Sequence, residues 1–118
     1  MMGKKEWYIP DMYWPAADHG DYVSHEAICI LNPGDEDCVV DITLYFEDRE
    51  PVKCERTICT ARRTNHIRTD ILKQEDGSPL PRGIGYAGLV VCSVPVVVQY
   101  TRVDTTQNPL ALMTTMGY

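Results

Sequence analysis

Three short polar clusters begin or interrupt apolar stretches of the sequence, at residues 24–26, 61–68 and 98–104. In an extended strand, alternate side chains share one side, so His66 and Arg68 point together, and so do Tyr100, Arg102 and Asp104. Guanidinium groups supply forked donors, an imidazole changes charge near neutral pH, and a carboxylate orients an arginine. A pocket for a polar or anionic small molecule needs such a set, and the three clusters together predict one.

Each cluster also has a purely structural alternative. The first could bond only to the backbone, the second could be an exposed charged turn, and the third could hold an exposed ion pair, which contributes little. The unusual feature is that Gln99, Arg102 and Asp104 interrupt a stretch otherwise rich in valine. Charge in such a strand costs free energy unless it is paired or used. Both interpretations therefore stay open.

No pattern of catalytic or metal-binding residues is visible. The sequence has no G-x-S-x-G, H-E-x-x-H or phosphate-loop motif and no C-x-x-C pair, so we expect a non-enzymatic protein without catalytic residues, metal or cofactor. An odd number of cysteines, with no export signal visible, predicts free thiols in a reducing cytoplasm. The cysteines are Cys29, Cys38, Cys54, Cys59 and Cys92.

Size and charge narrow the possible functions. The 118 residues, 44% of them hydrophobic and 24% charged, suit one soluble domain spanning residues 1–118. The longest apolar stretch, residues 88–98, contains Ser93 and Pro95 and is too short to cross a membrane as a helix. The net charge of −6 argues against general nucleic-acid binding, because affinity for phosphate comes largely from lysine and arginine.

Short strands separated by turn residues account for most of the chain. In residues 38–47, apolar Val40, Ile42 and Leu44 alternate with more polar neighbours, which is typical of a strand with one buried face. Further strand-like runs are residues 27–31, 52–60, 65–68, 86–93 and 96–103. The pattern predicts an all-β fold, an antiparallel β-sandwich (jelly-roll-like) of about seven or eight short strands.

The segments between these strands predict smaller features. We expect the aromatic, proline-rich residues 7–15 to begin with a short strand and continue as a loop. We also expect one helical turn at residues 69–73 capped by Thr69, and a loop at residues 74–83. Val94 and Pro95 should separate the last two strands, because proline cannot donate a hydrogen bond to a sheet. Residues 108–118 predict a brief helix or a frayed tail.

The clusters and their flanking segments resemble the signatures of the sensory rhodopsin transducer family. Residues 24–37, 61–68 and 94–104 resemble its three signatures, and residues 42–46 and 49–52 continue the match. The similarity covers residues 5–116 in the same order, so the joint pattern is specific. The resemblance implies a β-sandwich subunit, a homotetramer, a cytoplasmic location and a small-molecule or sugar-binding role in signal transduction. The cyanobacterial member partners a membrane photoreceptor, and weak DNA binding has been proposed for it.

The resemblance also implies a set of ligand-binding residues. Tyr100 stands where a histidine is expected beside Gln99, and the loop at residues 74–83 is longer and more polar than expected, so the identity of the ligand stays open. The implied set is His25, Glu26, Arg63, His66, Arg68, Gln99, Arg102 and Asp104.

Two alternative functions remain. The chain could be a protein-interaction transducer that docks on a receptor through Trp7, Tyr8, Trp14 or residues 110–113, although core or subunit packing explains the aromatic residues better. It could also be a weak DNA-binding regulator, but the acidic balance and the lack of a helix-turn-helix make this the least favoured reading. The arginines that DNA binding would use are Arg56, Arg62, Arg63 and Arg68.

Overall fold

Eight antiparallel strands form the fold in the computed structural model, which describes residues 3–118. The strands are β1 (Lys4–Tyr13), β2 (His25–Asn32), β3 (Cys38–Tyr45), β4 (Val52–Lys53), β5 (Thr57–Cys59), β6 (Arg63–Arg68), β7 (Gly85–Asp104) and β8 (Ala111–Met116). Within residues 3–118 there is no helix that could cross a membrane. The predicted all-β antiparallel class is confirmed.

The 20-residue strand β7 joins the two halves of the sheet. Its first part lies between β1 and β3, with Leu89 opposite Tyr8. Its last part lies between β2 and β8, with Gln99 opposite Cys29. Strands β4 and β5 pair with the free side of β3, and β6 pairs with the free side of β2. Because both halves share β7, the sheet curls and its two inner faces enclose one core.

Alternating apolar side chains build this core. In β3, Val40, Ile42 and Leu44 are at most 1% exposed, while the residues between them are partly exposed. In β7, Val90 and Val98 are fully buried on either side of the strand's midpoint. Full burial of such a side chain contributes about 1.5–3 kcal/mol, so the alternation read from the sequence fixes which face of each strand turns inward.

Pro95 marks the point where β7 changes partners. The sequence predicts two strands here, residues 86–93 and 96–103, whereas the structure has one continuous strand. Pairing with β3 ends at Cys92, and pairing with β2 begins at Val97. Pro95 pairs with neither strand, so its missing N–H leaves no partner unsatisfied.

Local predictions at both ends of the chain are wrong. Strand β1 continues to Tyr13 instead of becoming a loop, because a register shift between Ile9 and Met12 accommodates Pro10. Residues 111–116 form strand β8 rather than a helix or a frayed tail, because the last part of β7 offers them an open edge.

Two predictions in the middle of the chain also need correction. The expected strand at residues 52–60 is divided into β4 and β5, with Cys54 to Arg56 between them. The expected single turn is present, since the Leu72 N–H donates to the Arg68 carbonyl oxygen at 3.0 Å, but Thr69 does not cap it. Its hydroxyl donates instead to the buried side chain of Glu26, 2.9 Å away.

Candidate functional site

The sheet register places several of the expected ligand-binding residues on one outer face. His66 of β6 and Gln99 of β7 lie on either side of Cys29 of β2. In the adjacent row, Arg68 lies opposite Ala27. Side chains paired across neighbouring strands share a face of the sheet, so these groups border a shallow surface with small residues at its floor. We call His25, His66, Arg68 and Gln99 the outer patch.

Two of the four side chains in the outer patch already form hydrogen bonds within the chain. Arg68 donates two hydrogen bonds to Asp70, at 2.9 and 2.8 Å. The Nδ1 atom of His25 lies 2.8 Å from the carbonyl oxygen of Val23, so this imidazole bonds to the backbone. His66 and Gln99 are exposed. His66 and Arg68 also border a groove of about 280 Å³ at the edge of β6.

Glu26 points to the opposite side of the sheet and is fully buried. Its carboxyl oxygens accept hydrogen bonds from the Tyr13 backbone N–H (2.6 Å), the Thr69 hydroxyl (2.9 Å), and the hydroxyls of Tyr86 and Tyr100. A carboxylate has about four acceptor positions. The chain's own donors therefore occupy the whole acceptor capacity of Glu26.

The Glu26 network continues to the surface through Arg102. The Nε of Arg102 donates to the Tyr100 oxygen at 3.1 Å, and its Nη2 lies 3.3 Å from a carboxylate oxygen of Asp11. Burial and the neighbouring Glu26 raise the pKa of the Tyr86 and Tyr100 phenols well above their usual range. The two phenols therefore remain protonated donors to Glu26 through the neutral range.

Asp104 and Arg63 belong neither to the outer patch nor to the Glu26 network. Asp104 accepts hydrogen bonds from the N–H and hydroxyl of Thr106, at 2.9 and 2.6 Å, and these bonds lower the pKa of its carboxyl. It forms no ion pair with Arg102, which binds Asp11 instead. Arg63 is exposed at the start of β6, where it donates to the backbone oxygen of Arg62.

The eight expected ligand-binding residues therefore lie in separate places. The outer patch holds four of them, whereas Glu26 and Arg102 belong to an internal network. The network partners Tyr13, Thr69 and Tyr86 lie outside the three polar clusters of the sequence. One signal could have revealed Tyr86 and Tyr100: each points inward from β7, and a buried phenol needs a hydrogen-bond acceptor.

The other candidate groups are also placed by the structure. Trp7 and Trp14 are 8% and 7% exposed and pack in the core, whereas Tyr8 is half exposed. Three of the arginines considered for DNA binding are each paired with an aspartate. These pairs are Arg56 with Asp41, Arg62 with Asp35, and Arg68 with Asp70.

All five cysteines are free thiols. Cys29 is half-buried beneath the outer patch, and the other four are buried. Burial raises the pKa of Cys54 and Cys92 to about 12, which makes these thiols poor nucleophiles near neutral pH. Within residues 3–118, no three His, Cys, Asp or Glu side chains are arranged to hold a metal ion.

Comparison with known proteins identifies relatives of this chain. The family model described as Anabaena sensory rhodopsin transducer matches residues 2–118. The solved structure titled "Crystal Structure of Thermotoga maritima 1070" is 36% identical, with a TM-score of 0.86, over 100% of this chain and 96% of that one. The solved Anabaena sensory rhodopsin transducer is 42% identical, with a TM-score of 0.76, over 87% of this chain and 90% of that one. No curated protein matches the sequence. The match along almost the whole chain shows that it belongs to the Anabaena sensory rhodopsin transducer family.

Proposed function

We propose that this chain is a non-enzymatic interaction module in cytoplasmic signal transduction, which docks on a membrane receptor of the sensory-rhodopsin type. The observation that carries the proposal is family membership over residues 2–118, together with 42% identity to a protein named as a rhodopsin transducer. The sequence has no catalytic motif, and four internal donors leave Glu26 no free acceptor for a substrate, which agrees with a non-enzymatic role.

A direct binding measurement tests this function. The purified chain is passed over a sensory rhodopsin embedded in lipid nanodiscs, in the dark and under illumination, with empty nanodiscs as the control. We expect saturable binding to the receptor nanodiscs only, with an affinity that changes on illumination. No binding in either state, or equal binding to empty nanodiscs, would contradict the proposal.

A second candidate function is the binding of a small polar or anionic ligand, such as a sugar, at the outer patch. The specific observation in its favour is the register, which places His66 and Gln99 across the small residue Cys29, with Arg68 beside them. The imidazole and amide can donate and accept, and the guanidinium group supplies charge.

A rise in melting temperature on adding a ligand tests this second function. A ligand that binds only the folded protein raises its melting temperature, so a panel of sugars, sugar phosphates and nucleotides is screened against the wild type. We expect His66→Ala and Gln99→Ala to abolish the rise caused by any stabilising compound. The control Asp76→Ala alters an exposed loop residue and should leave the rise unchanged. Absence of any stabilising compound would remove the support for this site.

A further inference from the structure

Two adjoining hollows that share lining residues form a groove on the outer face of the other half of the sheet, over β1, β7 and β3. One part, of about 440 Å³, is lined by Tyr8, Ile9, Pro10, Tyr45, Ala87 and Gly88. The adjoining part, of about 320 Å³, shares Pro10, Tyr45 and Ala87 with the first. It adds the carboxylates Asp11 and Glu47. We call this combined surface the tyrosine groove.

The aromatic part of the groove resembles the centre of a protein interface. Tyr8 lies opposite Leu89, and Tyr45 lies opposite Ala87, so the two rings stand on either side of β7. Tyr8 is 50% exposed and Tyr45 is 43% exposed. The small side chain of Ala87 leaves room between them. Exposed tyrosine rings bury a large area at a low entropic cost and are enriched where proteins bind each other.

The other part of the groove is negatively charged. Asp11 and Glu47 line it, Glu6 lies beside the Tyr8 hydroxyl, and no lysine or arginine of residues 3–118 lines either part. Glu6 and Glu47 form no ion pair within the described chain. Two nearby arginines are already paired, Arg49 with Asp48 and Arg102 with Asp11, so Glu6 and Glu47 are the carboxylates of this surface without an ion pair. A partner of positive charge would complement this surface.

We propose that the tyrosine groove binds an extended, positively charged segment of the partner protein. An apolar side chain of that segment lies between Tyr8 and Tyr45, and a neighbouring lysine or arginine faces Glu47, which has no ion pair within the described chain. The inference rests on the proposed docking function and names its surface. Cytoplasmic loops of membrane proteins carry an excess of lysine and arginine, so a membrane receptor presents the required charge. A cation near tyrosine rings gains further attraction.

Variants in the groove test the assignment in the nanodisc measurement. We expect Tyr45→Ser and Glu47→Lys each to weaken receptor binding by about tenfold or more. Matched controls lie outside the groove: Tyr22→Ser removes another exposed tyrosine, and Glu36→Lys reverses another exposed carboxylate. Both controls should bind like the wild type. Binding should also weaken between about 50 and about 500 mM NaCl, because salt screens exposed charges.

The outcomes separate this inference from the proposed function. If the wild type binds the receptor and the groove variants bind equally well, the groove assignment is overturned while the docking function stands. If Tyr45→Ser instead dissociates an oligomer in sedimentation, the face is an interface between copies of the chain, and the assignment is again overturned.

A measurement without the receptor keeps the inference testable if the wild type does not bind rhodopsin. A short peptide of alternating leucine and arginine is titrated into the labelled protein and followed by NMR. A second peptide with glutamate in place of arginine is the control. Shifts at Tyr8, Tyr45 and Ala87 for the arginine peptide alone support the groove. Shifts elsewhere, or equal shifts for both peptides, overturn it.

Discussion

Glu26 connects distant parts of the chain through one buried side chain. Its donors come from the end of β1, from the turn after β6 and from two positions in β7. Each donor is itself buried or half-buried, so each would lose a hydrogen bond without the carboxyl. The side chain of Glu26 therefore joins β1, β2, β7 and the turn after β6, which is a role in the fold.

Replacement of the carboxyl by an amide tests this role. Glu26→Gln keeps the shape, but with its oxygen facing the Tyr13 N–H it turns an NH₂ group toward the hydroxyls of Thr69 and Tyr86, which then lose their acceptor. We expect a loss of about 2–4 kcal/mol in the free energy of unfolding, measured with urea at a fixed protein concentration. The control Glu36→Gln changes an exposed carboxyl and should leave the midpoint unchanged. Equal stability of the two variants would contradict the role of Glu26.

Because Tyr86 and Tyr100 bind Glu26 through their hydroxyls, we expect the free energy of unfolding to fall at alkaline pH. Their pKa values are raised in the folded protein by burial and by Glu26. As the pH rises above about 10, tyrosine in the unfolded chain loses its proton while the folded protein retains it. The unfolded state then binds fewer protons, so stability must fall as the pH rises.

Urea midpoints between about pH 8 and pH 11 measure this effect. Tyr86→Phe removes one of the titrating groups, so its stability should decline less steeply with pH than that of the wild type. At the lower end of this pH range, the free energy of unfolding of Tyr86→Phe should be about 1–2 kcal/mol below that of the wild type, because Glu26 loses a donor. Parallel declines for the two proteins would show that Tyr86 does not contribute.

At the scale of elements, the sequence predicts a strand well where apolar and polar residues alternate because one face of the strand is buried. Val40, Ile42 and Leu44 identify β3 because each is buried between partly exposed neighbours. Strand β8 has no such alternation, because all six of its residues are exposed. It forms because β7 provides an edge to which it can pair. The Glu26 site escapes prediction for a related reason. Tyr86 and Tyr100 are 60 and 74 positions away in sequence, so no local pattern joins them.

Two glycines of β7 should respond differently to replacement by alanine, because the space around them differs. A Cβ on Gly88 would lie 2.8 Å from the sulfur of Met12, which is fully buried, whereas a Cβ on Gly85 meets nothing within 4 Å. Gly88→Ala should therefore destabilise the protein by about 1–3 kcal/mol through overpacking. Gly85→Ala should be neutral or stabilise it by up to about 1 kcal/mol, because alanine restricts the unfolded chain.

Thermal or urea unfolding of the two glycine variants checks this prediction, and a double variant checks its cause. Met12→Val shortens the side chain that a Cβ at position 88 would strike. Gly88→Ala should cost less free energy in the Met12→Val background than in the wild type. If the two costs are equal, the contact with Met12 is not the source of the destabilisation.

At the scale of the whole molecule, β8 leaves an edge that a single subunit does not protect. Proteins usually guard an edge strand with charge, proline or a covering segment. Strand β8 has no charged residue or proline, and within the described chain it pairs only with β7. Leu112 is 67% exposed and Met116 is 48% exposed. Pairing with a second copy would cover the apolar side chains and satisfy the free edge, which agrees with the homotetramer that we expect for the family.

Sedimentation velocity tests this assembly. The wild type should sediment as a multiple of the 13.4 kDa subunit, four subunits for the expected tetramer. Leu112→Lys should shift the mass toward one subunit, because a charge on a paired edge opposes association. Ile71→Lys alters an apolar residue that is equally exposed, at 66%, but lies away from β8, and it should not change the mass. A wild type that sediments as one subunit would contradict the assembly. If Leu112→Lys sediments like the wild type, the subunits associate through another face, and the exposed edge of β8 needs a different partner.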